Sequence, residues 1–157
     1  MKLFTFLVAL LFAVQLHAQE TDTLVFLKPD AYEKHIWGPV LSEFEKKGIK
    51  IVALEMTQLT KEQAESFYGA HKGKKFFNDL VSYVTRAPIL AVVLRTENAV
   101  PRVRAILGAT NPKEAAKDTI RGKYGQSLDA NVIHGSDSPE AAAREISFFF
   151  ARKNIQG

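Results

Sequence analysis

The sequence predicts an α/β fold, a sandwich of one four-stranded, mainly antiparallel sheet with helices packed on it. Three observations predict it. Four short apolar runs, at 23–29, 49–59, 88–95 and 131–134, have strand length and are rich in β-branched residues. Segments with apolar residues at helical spacing separate them, giving the order β-α-β-α-β-α-β with a helix pair in the middle. The crossovers are short, which suits a ferredoxin-like sandwich. A doubly wound parallel sheet needs more strands and a glycine-rich first turn, and no G-x-G-x-x-G is present.

Taken in order, "TLVFLKP" (23–29) is a buried strand that Pro29 ends. "GPVLSEFEKKG" (38–48) places Val40, Leu41 and Phe44 on one helical face and stops at Gly48. "IKIVALEMTQL" (49–59) alternates as a long strand. Thr60 caps a helix over 60–71, and 76–84 forms a second short helix. "PILAVVLR" (88–95) is a continuous apolar run, hence a central strand. "ENAVPRVRAILG" (97–108) is a helix with Pro101 near its first turn. Residues 109–130 read as loop, with Gly122 and Gly125. "NVIH" (131–134) is the last strand and 138–152 the last long helix. There Pro139 suits the first turn, and Asp137 or Ser138 the cap.

The 157 residues suffice for one domain with a core. A net charge of +4 is mildly basic, below the Lys/Arg density of a dedicated nucleic-acid binder and suited to a small polyanion. The absence of cysteine excludes disulfides, thiol catalysis and cysteine metal sites. The four histidines lack zinc-ligand spacing. The first 18 residues differ from the rest: a basic start, an apolar run over residues 3–14, then Ala18. They predict a cleaved export signal over 1–18, followed by one domain over 19–157, and a periplasmic or secreted location. An uncleaved anchor and a misplaced start codon are the alternatives to a signal, and the cytoplasm is the alternative location.

Several residues are unusual for a scaffold. Lys28 ends a buried strand, where its charge needs water or an anion. Arg102, Arg104 and Arg121 carry forks that match phosphate oxygens, although each taken singly fits a solvated surface charge. His134 sits in "NVIHGSDSPEAAAREI", between a strand end and a helix start whose unpaired amides favour an anion. Glu145 borders the apolar stripe of Ala142, Ile146, Phe149 and Phe150. It can pair with His134, fixing the tautomer of the ring, or with Arg152.

The stretches "FLKPDA", "FYGAHKGKKFF", "LGATNPKEA", "DTIRGKYG" and "NVIHGSDSPEAAAREI" resemble the nucleoside diphosphate kinase family of the bacterial type, over nearly everything from Thr23 to Phe150. The H-G-S-D-S turn with R-E-I downstream is a specific signature. The resemblance implies transfer of a γ-phosphate from a nucleoside triphosphate to a nucleoside diphosphate, through a phosphohistidine in a ping-pong cycle. It implies His134 as nucleophile, Glu145 orienting it with Ser136 bridging, and Tyr68 beside Lys28 and His134. Lys28, Arg104, Thr110 and Arg121 would hold phosphates and ribose, Asn131 the sugar hydroxyl. Phe76 would stack on the base with Leu128 opposite; Arg102 has no role. Mg²⁺ would bind through the nucleotide phosphates, with no metal ligand from the protein. The short tail after Phe150 implies a homotetramer, or else a homodimer, with no nucleic acid required.

Four positions depart from the family pattern: Lys75 before the "FF" pair, Arg86 and Ala87 in "TRAP", and Asp118 before "TIR". They touch assembly and nucleotide affinity rather than chemistry. The competing class is an exported nucleotide-binding or regulatory protein on the same fold; the presence of His134 and Lys28 counts against it. An acyl hydrolase using Ser136 or Ser138 lacks the G-x-S-x-G elbow.

Overall fold

A computed structural model describes residues 19–151. The leader over 1–18 and the Arg152 alternative for Glu145 lie outside the described residues. The elements are β1 (Glu20–Leu27), α1 (Pro29–Glu33), α2 (Trp37–Glu45), β2 (Lys50–Thr57), α3 (Lys61–Phe67), α4 (Phe77–Thr85), β3 (Ile89–Glu97), α5 (Ala99–Leu107), α6 (Ile120–Tyr124), β4 (Ile133–Gly135) and α7 (Pro139–Phe150). The sheet runs β2-β3-β1-β4, with every neighbouring pair antiparallel. This is the predicted ferredoxin-like sandwich.

The two central strands carry apolar side chains on both faces. From β1, Val25 and Leu27 join Val92 and Leu94 of β3 in a layer with Phe44 of α2 and Val103 and Leu107 of α5. The alternate residues Leu24, Phe26, Ala91 and Val93 pack with Ala64 of α3, Val84 of α4 and Phe150 of α7. Successive side chains of a strand point to opposite faces, so burying both faces demands a continuous apolar run. That is why 23–27 and 89–94 read as unbroken apolar stretches.

Four local details differ from the sequence reading, each for a physical reason. Pro29 does end β1, but it also starts α1, standing in the first turn where its missing N–H costs nothing. The segment 60–71 is not one helix. Thr60 caps it through a reciprocal box with Gln63, yet α3 ends at Phe67, and a separate 3₁₀ turn covers Gly69–His71. Part of the 109–130 loop is helical: Thr119 accepts from the Gly122 amide and starts α6. The last strand begins at Ile133 rather than Asn131, because Val132 has φ +64° and cannot be extended.

Candidate active site

Strand register sets the position of the central imidazole. His134 lies directly opposite Phe26 in the β1–β4 pairing, so both side chains leave the same sheet face. The rings stack with centroids 4.8 Å apart. Phe67 and Tyr68, at the end of α3, meet the imidazole edge-on at 5.3 and 6.3 Å. The aromatic walls restrict the ring's rotation, and one carboxylate fixes its remaining freedom.

That carboxylate is Glu145. Its Oε2 lies 2.9 Å from Nε2 of His134 and accepts from the Ser136 hydroxyl at 2.7 Å. Ser136 therefore does not stand between the two; both residues converge on one oxygen. Burial pushes the Glu145 carboxyl up. The hydrogen bond and charge of His134, with help from Ser136 and Arg144, outweigh it and hold the group below its ordinary value. With Nε2 engaged, Nδ1 is the free ring nitrogen. Ser138 caps α7 through the Ala141 amide, so the turn between strand and helix is pinned at its far end as well.

His134 opens on a cavity of about 280 Å³ lined also by Lys28, Tyr68, Phe76, Thr110, Arg121, Leu128 and Asn131. The fold thus brings together nearly all the residues singled out in the sequence. Arg104 is exposed and does not line the cavity, but its charge is felt by Arg121. Arg102 sits elsewhere, donating to Thr96 and to the Lys47 carbonyl.

The cavity floor is cationic, and the hydrogen bonds of its two cations go to carbonyl and amide oxygens rather than to carboxylates. Lys28 Nζ donates to Asn131 Oδ1 at 2.8 Å and to the Asp129 carbonyl at 3.0 Å. Burial lowers its pKa to about 8, despite Asp30 nearby, and Arg121 lowers it further. Arg121 gives one guanidinium nitrogen to the Gly108 carbonyl and another to the Ile133 carbonyl. Its Nε is buried without a partner, and burial with Arg104 brings its pKa down to about 10. Two buried cations held this way gain from an anion entering between them.

Asn131 also donates to the Thr110 carbonyl, so both ends of its amide are engaged within the protein. At the mouth, Phe76 and Leu128 are 48% and 59% exposed, unusually open for large apolar side chains. Sequence reasoning missed Tyr83, Leu80 and Asp129, which also line the cavity. Tyr83 lies under Lys28 and Arg86, at 5.5 and 4.1 Å from its ring centroid. Its place seven residues after Phe76 on one helix was the available signal. Among the described residues no cluster of His, Asp or Glu is arranged to hold a metal ion.

A family model for nucleoside diphosphate kinase matches residues 21–155. A nucleoside diphosphate kinase of Legionella pneumophila subsp. pneumophila (strain Philadelphia 1) is 53% identical over 133 residues, covering 85% of this chain and 94% of the relative. One from Halorhodospira halophila is 50% identical with the same coverage. Among solved structures, the Aquifex aeolicus nucleoside diphosphate kinase superposes with TM-score 0.85 at 41% identity, covering 88% of this chain and all of that one. The Halobacterium salinarum enzyme, solved in complex with CDP, gives 0.81 at 39% identity, covering 84% and 88%.

Fold and comparisons together define a phosphotransferase built on a ferredoxin-like sandwich. The chain belongs to the nucleoside diphosphate kinase family.

Proposed function

We propose that this chain moves the γ-phosphate of a nucleoside triphosphate to a nucleoside diphosphate by way of His134. The family reaction supplies the chemistry, and one observation carries the assignment: Glu145 occupies Nε2, leaving Nδ1 as the free nitrogen of a ring that lines the cavity. The Nδ1 lone pair attacks the γ-phosphorus, the bond to the β,γ-bridging oxygen breaks, and the diphosphate leaves. A terminal oxygen of the second diphosphate then attacks the same phosphorus, breaking the N–P bond and restoring the imidazole. Glu145 stabilises the charge that develops on the ring, and Ser136 orients Glu145.

Lys28 and Arg121 hold the transferring phosphates, with Tyr68 beside the imidazole and Thr110 and Arg104 completing the phosphate and ribose contacts. Asn131 keeps one lone pair and one proton for the sugar. Phe76 and Leu128 grip the base, a mode that tolerates any base. The crystallised complex of the Halobacterium salinarum relative with CDP supports a diphosphate in this cavity. Mg²⁺ would be carried in on the nucleotide phosphates, a mode that asks for few protein ligands and fits a cavity wall with Asp129 as its one carboxylate. When bound it neutralises phosphate charge.

The chain acts as a homotetramer, with a homodimer as the smaller alternative. Leu54 and Met56, 52% and 64% exposed on β2 at the sheet edge, support an apolar contact between copies. Residues 1–18 form an export signal preceding the domain over 19–157.

Incubation with ATP and Mg²⁺ tests the reading. An acid-labile, base-stable phosphoenzyme, lost in His134→Ala, is the expected result. Turnover through an acid-stable phosphoserine would overturn it.

A further inference from the structure

Asp30 is 3% exposed and does not line the cavity, yet it keeps a carboxylate. Its Oδ2 accepts from the Val132 amide at 3.0 Å. Its Oδ1 has no hydrogen-bond partner, nor does the hydroxyl of Tyr83. The two groups nonetheless sense each other: burial foremost, and then Asp30, raises the Tyr83 phenol. The charge of Asp30 also acts on Lys28, but the carboxylate's one direct backbone contact is the Val132 amide, and a buried carboxylate that keeps so few partners calls for a role.

The residue it grips is itself out of the ordinary. Val132 is fully buried and has φ +64°. A β-branched residue in this region is a true outlier. The Ile133 amide donates back to the Asn131 carbonyl at 2.9 Å, closing a three-residue turn around Val132. This γ-turn with positive φ is rare and strained. It persists only where surroundings hold it, and both polar groups of Val132 are held: the N–H by Asp30 and the carbonyl by the Lys28 amide at 2.9 Å. On one side of the turn stands Asn131, which anchors Lys28; on the other, Ile133 leads into His134.

We propose that Asp30 is a positioning residue for the transfer reaction: its carboxylate holds the strained turn at Val132 that carries Asn131 and His134 into the cavity. It touches neither nucleotide nor phosphoryl group. The inference rests on the His134 reading, and wild-type phosphoenzyme formation tests that reading separately.

The experiment is a single-turnover measurement of phosphoenzyme formation from ATP and Mg²⁺, with thermal melts, on Asp30→Ala, Asp30→Asn, Val132→Gly and the double variant Asp30→Ala/Val132→Gly. Asp30→Ala slows phosphorylation by up to about 100-fold, the scale of an ångström-sized misplacement. Asp30→Asn retains an acceptor oxygen for the Val132 amide and rescues most of the rate. Glycine adopts positive φ without strain, so Val132→Gly suppresses the Asp30→Ala defect in the double variant. An Asp30→Ala enzyme that is phosphorylated at the wild-type rate would overturn the proposal. So would a defect equally deep with valine or glycine at 132. Should Asp30→Ala fail to fold alone, the same comparison is read from Asp30→Asn and from the double variant, where failure of both to reach near-wild-type rates would also overturn it. A wild-type protein that forms no phosphohistidine sinks the site assignment instead.

Discussion

The ammonium of Lys28 sits 2.8 Å from the side-chain oxygen of Asn131, across the gap between the end of β1 and the approach to β4. The hydrogen bond is to a neutral partner, and the charges of Asp30 and Asp129 nearby offset only part of the cost of burial. This is why burial prevails and the Lys28 pKa falls to about 8 from 10.5. The lysine loses its charge as pH rises through about 8, and phosphate affinity goes with it. For the free enzyme kcat/KM is therefore expected to decline above about pH 8. Stability moves the other way. The folded state binds fewer protons than the unfolded chain between about 8 and 10.5, so the penalty for burying this charge is relieved over that window. Asn131→Asp places a negative charge beside the ammonium and shifts the alkaline limb upward. A pH profile whose alkaline limb does not respond to Asn131→Asp would remove Lys28 as its source.

Glu145→Gln keeps the hydrogen-bonding shape but removes the charge that polarises His134. Transfer is expected to slow by about 10–100-fold, by analogy with carboxylates that orient metal-bound histidines. Ser136→Ala should cost less, because it touches only Glu145 and the Leu24 carbonyl. Steady-state kinetics with melting curves separates the two effects; equal turnover for Glu145→Gln and wild type would return the carboxylate to a structural role.

Phe26 is fully buried beneath the imidazole and meets Phe67 and Phe149 as well. Phe26→Ala should cost about 3–5 kcal/mol of stability, the range for emptying a core aromatic site. Denaturant unfolding measures this. Ser138→Ala removes only the cap of α7 and should cost about 1 kcal/mol. A Ser138→Ala enzyme that loses transfer outright would implicate that hydroxyl in the chemistry.

Enzyme lacking residues 1–18 should retain full transfer activity, because no proposed ligand precedes Lys28. The apolar composition of residues 3–14 should make the uncut form associate. Mapping the N-terminus of native protein in separated cell fractions tests export: a start near Gln19 outside the cytoplasm is expected, and an intact Met1 on soluble cytoplasmic protein excludes it.

The sequence was most legible where local chemistry and tertiary structure agree. Apolar runs at 23–27 and 89–94 announce strands buried on both faces, and Ser138-Pro139 announces a helix start. The site was readable because its residues sit inside short fixed motifs around His134, Lys28 and Arg121. What escaped notice depends on contacts distant along the chain. Tyr83 lines the cavity because α4 packs beside α1 and α3, bringing the ring beneath Lys28. The left-handed backbone of Val132 is invisible in a residue type that favours extended conformations, and the groups that bond it, Asp30 and the Lys28 amide, lie about a hundred positions away. Arg86, unusual at the sequence level, turns out to be paired with Glu33 through two hydrogen bonds while lying on Tyr83.

The packing around His134 constrains the order of events. One face of the ring is covered by Phe26, its edge meets Phe67 and Tyr68, and the Nε2 side is closed by Glu145. Donor and acceptor must therefore use the same opening, at different times. A diphosphate that arrives before the imidazole has been charged occupies the place of the triphosphate and has nothing to receive. Excess acceptor should then slow its own conversion, and raising the donor concentration should restore the rate. Because each transfer exchanges one phosphoanhydride bond for another of the same kind, and both nucleotides use one site, neither direction of exchange is favoured by the protein. Net flow follows the ratio of triphosphate to diphosphate in the surrounding pools.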